Sequence, residues 1–236
     1  MKTLALVCCG ALLLLAGCAH EKVAVAGYVS SAVPPEQQAL WTNPSVGARP
    51  WSHNKAVIRA TRGMVEISVN GGATWKKAPV GSVVKANSIV RTGKTNSVAD
   101  FFLAENGPMI RLKEDSVLRF ERLDFSATGV EKIIVTRLEL VRGRMLGSVK
   151  KLAAASSFMV RTPSSIVQIR GTEFSVSGDG AVELIFGQAR VFTEGQQFEV
   201  NAGFEFTPKK GVTKLSMEQA NEFSKEISPP VVMGYF

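Results

Sequence analysis

The sequence predicts an all-β domain, either an elongated twisted β-sandwich or an open β-helix-like stack, with one short helix at its C-terminal end. Three observations carry this reading. From Ala56 onward the chain breaks into short segments whose apolar residues recur at every second position, the period of a strand with one buried face. These segments recur at intervals of about 8 to 12 residues and are punctuated by glycine, the habit of sandwiches and barrels. No stretch with a helical apolar period occurs before Ser216.

The first residues belong to export. Lys2 supplies a positive start, and Leu4 to Ala16 form an apolar run that is shorter than the roughly 20 residues a membrane-crossing helix needs. The run ends in Leu15-Ala16-Gly17-Cys18, which resembles the bacterial lipobox, so residues 1–17 are expected to be a lipoprotein signal peptide and Cys18 the lipidated residue. Cys8 and Cys9 leave with the signal, and no disulfide is expected in the mature chain. The expectation is a lipid-anchored protein at the outer membrane, facing the periplasm.

Residues 18–54 read as a tether, because Pro34, Pro35, Pro44 and Pro50 fall there without sustained periodicity. A segment of that length reaches roughly 30 to 35 Å. Trp41 and Trp51 are unusual in such a tether, since large rings seldom stay in water without a partner. Docking onto the domain's own surface is the first expectation, and contact with another protein the second.

Residues 55–212 form the β domain. Val65, Ile67 and Val69 alternate with Glu66 and Ser68, and Asn70-Gly71-Gly72 then signals a chain reversal. Further strand-like segments are Ser88 to Thr92, Ser97 to Leu103, Met109 to Leu112, Val117 to Glu121, Ile133 to Val141, Phe158 to Arg161, Ile166 to Ile169, Glu173 to Val176, Val182 to Phe186 and Phe198 to Val200. Between Ile169 and Phe174 the apolar residues move from odd to even positions. A β-bulge at Arg170-Gly171-Thr172 is expected to absorb the slip, with Gly171 taking the positive φ, and a binding site at this segment is the alternative. Residues 213–236 hold the helix and tail: Ser216 and Gln219 form a capping box, Ala220, Phe223 and Ile227 form the apolar stripe, and Pro229-Pro230 end it.

Several pieces together resemble the FecR-type periplasmic domain. They are Gly63 to Ile67, Trp75, Gly81 to Val84, Ile89-Val90-Arg91-Thr92-Gly93, Ala99 to Gly107, Ile110-Arg111-Leu112, Ser116-Val117-Leu118, Val141-Arg142-Gly143-Arg144, Phe158 to Pro163 and Ile169 to Val176. The resemblance covers roughly residues 56 to 206. It implies an elongated all-β fold and a role in envelope signalling. Familiar members control a sigma factor through a cytosolic arm and a transmembrane helix. This chain is expected to lack both, so direct sigma-factor control is not expected.

Charge and residue inventory bound the function. The net charge is +8, and it is segregated: residues 137–170 hold seven cations against Glu139, whereas residues 171–206 hold six carboxylates against Arg190. If the blocks are neighbouring strands, cross-strand ion pairs cancel them. If they are not, Arg142, Arg144, Lys150 and Lys151 could bind a glycan or anionic lipid of the envelope. His20 and His53 both precede the first strand-like segment, which argues against histidine-based catalysis or a zinc site in the domain. Glu114-Asp115 read as turn residues, and no phosphate-cradling glycine pattern or nucleic-acid motif occurs. The expectation is a non-enzymatic module without catalytic residues, metal or cofactor. Its partner is an envelope protein, with glycan or anionic lipid as the alternative.

Overall fold

The computed structural model describes Trp41 and residues 50–103, 107–127 and 132–227. The expected signal segment 1–17, Cys18, most of the expected tether 18–54, Gly129 and Pro229-Pro230 lie outside the described residues. In chain order the strands are β1 (Ser52–His53), β2 (Ala56–Arg62), β3 (Val65–Ser68), β4 (Lys76–Lys77), β5 (Val83–Val84), β6 (Ser88–Thr92), β7 (Val98–Leu103), β8 (Met109–Leu112) and β9 (Val117–Ser126). They continue as β10 (Ile133–Arg142), β11 (Arg144–Ser148), β12 (Ser157–Arg161), β13 (Ile166–Ser177), β14 (Val182–Thr193), β15 (Gln196–Asn201), β16 (Phe204–Thr207) and β17 (Gly211–Lys214), followed by helix α1 (Met217–Ile227).

Pairing arranges these strands as two limbs of one sheet. The first runs β4-β3-β6-β9-β10-β12-β13-β14-β15, with β1 on the far end of β9. The second runs β5-β2-β7-β8-β11-β13-β14-β16-β17. Both limbs end on the long hairpin β13-β14, whose halves serve different limbs: Ile166–Ile169 pairs with β12, and Glu173–Ser177 pairs with β11. The result is a curled, open sheet, a half-barrel, all-β with one short helix. The chain crosses between limbs repeatedly: β2 to β3, β4 to β5, β5 to β6, β6 to β7, β8 to β9, β10 to β11 at Gly143, β11 to β12, and β15 to β16. The return from β11 lays β12 parallel to β10, the one parallel pair among the described residues.

The bend in β13 follows from the sequence slip. Val167, Ile169, Phe174 and Val176 are all buried, and the register shifts between Arg170 and Glu173 and again before Phe174. Gly171 has φ +64 and faces Gly187, at φ +80 in β14. A Cβ on Gly187 would lie 2.1 Å from the Gly171 oxygen, and one on Gly171 would lie 2.8 Å from Lys151 Cα. Three main-chain segments thus meet without side chains between them, which only glycine permits.

One continuous core fills the space between the limbs. Phe101 and Phe120 meet at 5.4 Å, and Phe158 and Phe174 meet edge-on at 5.9 Å. Each such buried ring contributes about 1.5–3 kcal/mol. The Phe174 ring occupies the place a Gly147 side chain would take, 2.4 Å from its would-be Cβ. Helix α1 starts as predicted: Gln219 N–H donates to Ser216 Oγ at 3.1 Å, and Ser216 N–H donates to Gln219 Oε1 at 2.9 Å. Phe223 and Ile227 pack on Leu146 with Met109 and Ile185, on the outer face of the second limb. Among the described residues no helix is long and apolar enough to cross a membrane.

Several expectations need correction. Ile166 to Ile169 and Glu173 to Val176 are one strand, and the segment Val182 to Phe186 extends to Thr193. The reversal at Asn70-Gly71-Gly72 is there, but its returning strand β4 is only two residues long. His53 does not merely precede the fold: it pairs with Asp124 in β1-β9, and its Nδ1 lies 3.0 Å from Asp124 Oδ1.

Candidate functional site

The outward positions of β9, β10 and β12 are Arg119 and Glu121, Arg137 and Glu139, Met159 and Arg161. Leu118 and Phe120, Leu138 and Leu140, and Phe158 and Val160 alternate with them and enter the core, whereas Arg122 follows Glu121 and Thr136 precedes Arg137. Strand register sets Glu139 opposite both Arg119 and Arg161. Ion pairs follow: Arg119 Nε lies 3.3 Å from Glu139 Oε2, and Arg161 Nη2 lies 3.2 Å from Glu139 Oε1 and also donates to Glu121.

Trp41 covers this face. Its indole is 5% exposed and packs with Met159, Ile166 and Phe192 in a cluster separate from the main core. Its Nε1 donates to Glu121 Oε2 at 2.7 Å. The Arg161 guanidinium lies 4.8 Å from the ring centroid and that of Arg137 5.9 Å, so the ring face meets two cations. Burial pushes the Glu121 carboxyl above the usual carboxylate range, against the pull of Arg161. Burial, reinforced by Arg122, lowers Arg137. The Nε atoms of Arg137 and Arg161 are buried and find no hydrogen-bond partner among the described residues. Beside this seat, Arg122 stacks 5.4 Å from the Trp51 ring and pairs with Asp124. Both tryptophans of the tether thus meet arginines of the domain itself, as the first expectation had it.

The sequence-predicted residues fall elsewhere. Cys18 lies outside the described residues. Arg170, Gly171 and Thr172 stand at the crossing of β13 and β14. Thr172 is buried, its hydroxyl donates to the Phe186 carbonyl, and its own carbonyl accepts from Val149 N–H at 2.9 Å. Arg142, Arg144, Lys150 and Lys151 are not brought together, because β11 separates the first two from the lysines. Arg142 pairs with Asp115 at 3.3 Å, and Arg144 bonds Glu183, Glu226 and Ser175 at 2.7–2.8 Å. Lys150, Lys151 and Arg170 are exposed, and no ion pair engages them among the described residues. Among the described residues the expected cancellation between the two charge blocks occurs only at Arg144-Glu183. The other basic residues that pair find their acids on β9, β10 and the turn before β9.

A cavity of about 280 Å³ opens beside the end of α1 and is lined by Thr61, Arg62, Val98, Asp100, Arg111 and Glu226, among others. Its charges are mostly committed. Arg111 grips Asp100 through two bonds of 2.8 Å, Lys113 Nζ meets Glu226 at 2.6 Å, and Arg111 also donates to the Glu226 carbonyl. Asp100 raises Arg111, the largest effect on it. This cavity anchors the helix end. Among the described residues no three His, Cys, Asp or Glu side chains are placed to hold a metal ion.

The sequence flagged Trp41 but not its seat. Arg119, Glu121, Arg137 and Glu139 occupy outward strand positions, as any solvated face would have them. The tryptophan itself was the available signal.

Comparison with known proteins gives a family match. Residues 88–201, from the start of β6 to the end of β15, match the family described as FecR protein. The sequence resemblance was drawn wider, and its first pieces, Gly63 to Val84, lie outside that match. No curated protein matches. Two solved structures of a candidate anti-sigma factor from Parabacteroides distasonis ATCC 8503 are similar. They show 17% and 16% identity and TM-scores of 0.43 and 0.42, and each covers 54% of this chain. The match spans 59% of the length of those chains.

Proposed function

Because this chain carries a FecR domain over residues 88–201, we propose that it is a lipid-anchored, non-enzymatic module that binds a protein partner in envelope signalling. The family match is the observation that carries the reading, since FecR domains are periplasmic regulatory domains rather than catalysts. Cys18 is the proposed lipid attachment and the outer membrane the proposed address. The open rim of the half-barrel and the outward faces of its limbs offer the contact surfaces.

A photo-crosslinking amino acid placed in cells at single exposed positions, first on the outer face of β9-β10-β12 and then on the second limb, tests this. The expected result is a discrete adduct of one size from one face only, lost when Cys18→Ser releases the protein from the membrane. No adduct from any position, or equal adducts from all, would overturn the binding reading. Detergent partitioning unchanged by Cys18→Ser would overturn the anchor.

A second reading rests on one observation: Lys150, Lys151 and Arg170 are exposed, no ion pair engages them among the described residues, and the Lys151 main chain packs on Gly171, next to Arg170. In this reading the three cations bind an anionic headgroup or glycan. Sedimentation with phosphatidylglycerol vesicles across a salt series tests it. Affinity is expected to fall with salt, and more steeply for the native chain than for Lys150→Glu/Lys151→Glu. Identical curves would refute it.

A further inference from the structure

Trp41 sits on its face as a guest. A core tryptophan packs against the main apolar cluster, whereas Trp41 belongs to a separate small cluster with Met159, Ile166 and Phe192. Its directed contacts are all charged: Glu121 accepts its N–H, and Arg161 and Arg137 lie against its ring. These groups lose hydration under the indole, and two arginine Nε atoms gain no hydrogen bond in exchange. Burial also moves Glu121 and Arg137 away from their usual ranges in the directions that disfavour their charged forms. Covering the face therefore has a free-energy cost, and the indole's stacking and apolar contacts must offset it. Such a balance gives reversible occupancy. Eight residues separate Trp41 from Pro50. An extended chain of that length spans up to roughly 30 Å, so the indole can leave its seat while β1 stays paired with β9.

We propose that this seat is an exchangeable docking site for a peptide segment bearing a tryptophan, occupied in cis by Trp41 until a partner's segment displaces it. This deepens the reading that the domain binds a protein partner, and it names the recognised chemistry: an indole whose N–H meets Glu121 and whose face meets Arg161. A tethered occupant at an effective concentration in the millimolar range shields the face from weak competitors. Only a segment with contacts beyond the indole, or with high local concentration, displaces it.

The test uses the full chain carrying Trp41→Ala and a labelled synthetic peptide of residues 36–46 of this protein, followed by fluorescence anisotropy. The peptide is expected to bind the Trp41→Ala chain and to bind the native chain at least about tenfold more weakly, since the tethered copy competes. The same peptide with alanine in place of tryptophan is expected not to bind. Adding Arg161→Ala to the Trp41→Ala chain should weaken binding by roughly tenfold.

A Trp41→Ala chain that melts cooperatively and binds no peptide overturns the proposal, as does equal binding to the native chain. If Trp41→Ala fails to fold, the same titration on Trp41→Phe decides. The phenyl ring lacks the N–H that Glu121 accepts, so displacement by the peptide should be easier than in the native chain. If Trp41→Phe fails to fold as well, Trp41 is core and the proposal falls. Since the peptide is the chain's own, failure here leaves the crosslinking result, and with it the partner reading, untouched.

Discussion

Replacing Gly171 with alanine tests the crossing of β13 and β14. Two costs are separable. A residue with a Cβ at φ +64 costs about 1–2 kcal/mol relative to glycine. The new methyl would also lie 2.8 Å from Lys151 Cα and 3.1 Å from Lys151 N. Those are main-chain atoms that no rotamer change can move aside, and overpacking of this kind costs about 1–3 kcal/mol. Together they predict a loss of about 2–5 kcal/mol. For a domain of this size, each kcal/mol lowers Tm by about 2–4 °C. Gly195 supplies the control: it has φ +75, yet a Cβ there meets nothing within 4 Å. Gly195→Ala should therefore lose only the conformational part, about 1–2 kcal/mol. Urea titration of the two variants beside the native chain, read by circular dichroism with a common m-value, measures the difference. Equal losses would show that the three segments do not meet as tightly as described, and the argument from contact would fail.

Thr172→Val keeps the shape of a buried side chain but leaves the Phe186 carbonyl without its hydroxyl donor, and should cost about 1–2 kcal/mol, with Thr172→Ser largely restoring stability in the same titration. At the end of α1, burial acts to raise Glu226, but the bond from Lys113 and the pairing with Arg144 outweigh it and hold the carboxyl below the usual range. The folded chain thus binds this proton less tightly than the unfolded chain. The contribution is present above the ordinary glutamate value and is lost as pH falls through the lower folded-state value. Glu226→Gln should reduce stability near pH 7 by about 1–2 kcal/mol and flatten its decline on acidification. An unchanged pH profile would refute this assignment.

Strands with one wet face leave a plain period in the sequence. β8 alternates partly exposed Met109 and Arg111 with buried Ile110 and Leu112, and its bounds are those expected. β11 was not expected: Met145, Leu146 and Gly147 are buried in succession, Met145 in the main core and Leu146 under α1, so no alternation marks it, whereas β12, buried in the same pattern, carries the unbroken apolar run Phe158, Met159 and Val160. The two-residue strands β1, β4 and β5 are too short to carry a period. By contrast, the bulge at Gly171 was legible, because the phase slip from Ile169 to Phe174 leaves a trace in the apolar pattern. A fixed φ and a fixed phase are local properties, and local properties survive in a sequence.

Charge pairing is not local, and there the sequence misleads. A basic block followed by an acidic block suggests neighbours that neutralise one another. Yet β10 lies between β9 and β12, so Arg161 meets Glu121 and Glu139, and Arg142 meets Asp115. Arg144 reaches Glu183, because β11 pairs with the half of β13 that also holds β14. Which acid an arginine finds thus depends on limb and register, set by the inward apolar residues and by glycine corners dozens of residues away. The same dependence explains the seat of Trp41. Arg119, Glu121, Arg137, Glu139 and Arg161 come from three strands spread over 43 positions, and only the placement of β12 beside β10 closes them around an indole. An outward charge in a strand is therefore no sign of solvent. The informative residue is the one whose chemistry does not suit its segment, and in this chain that is Trp41.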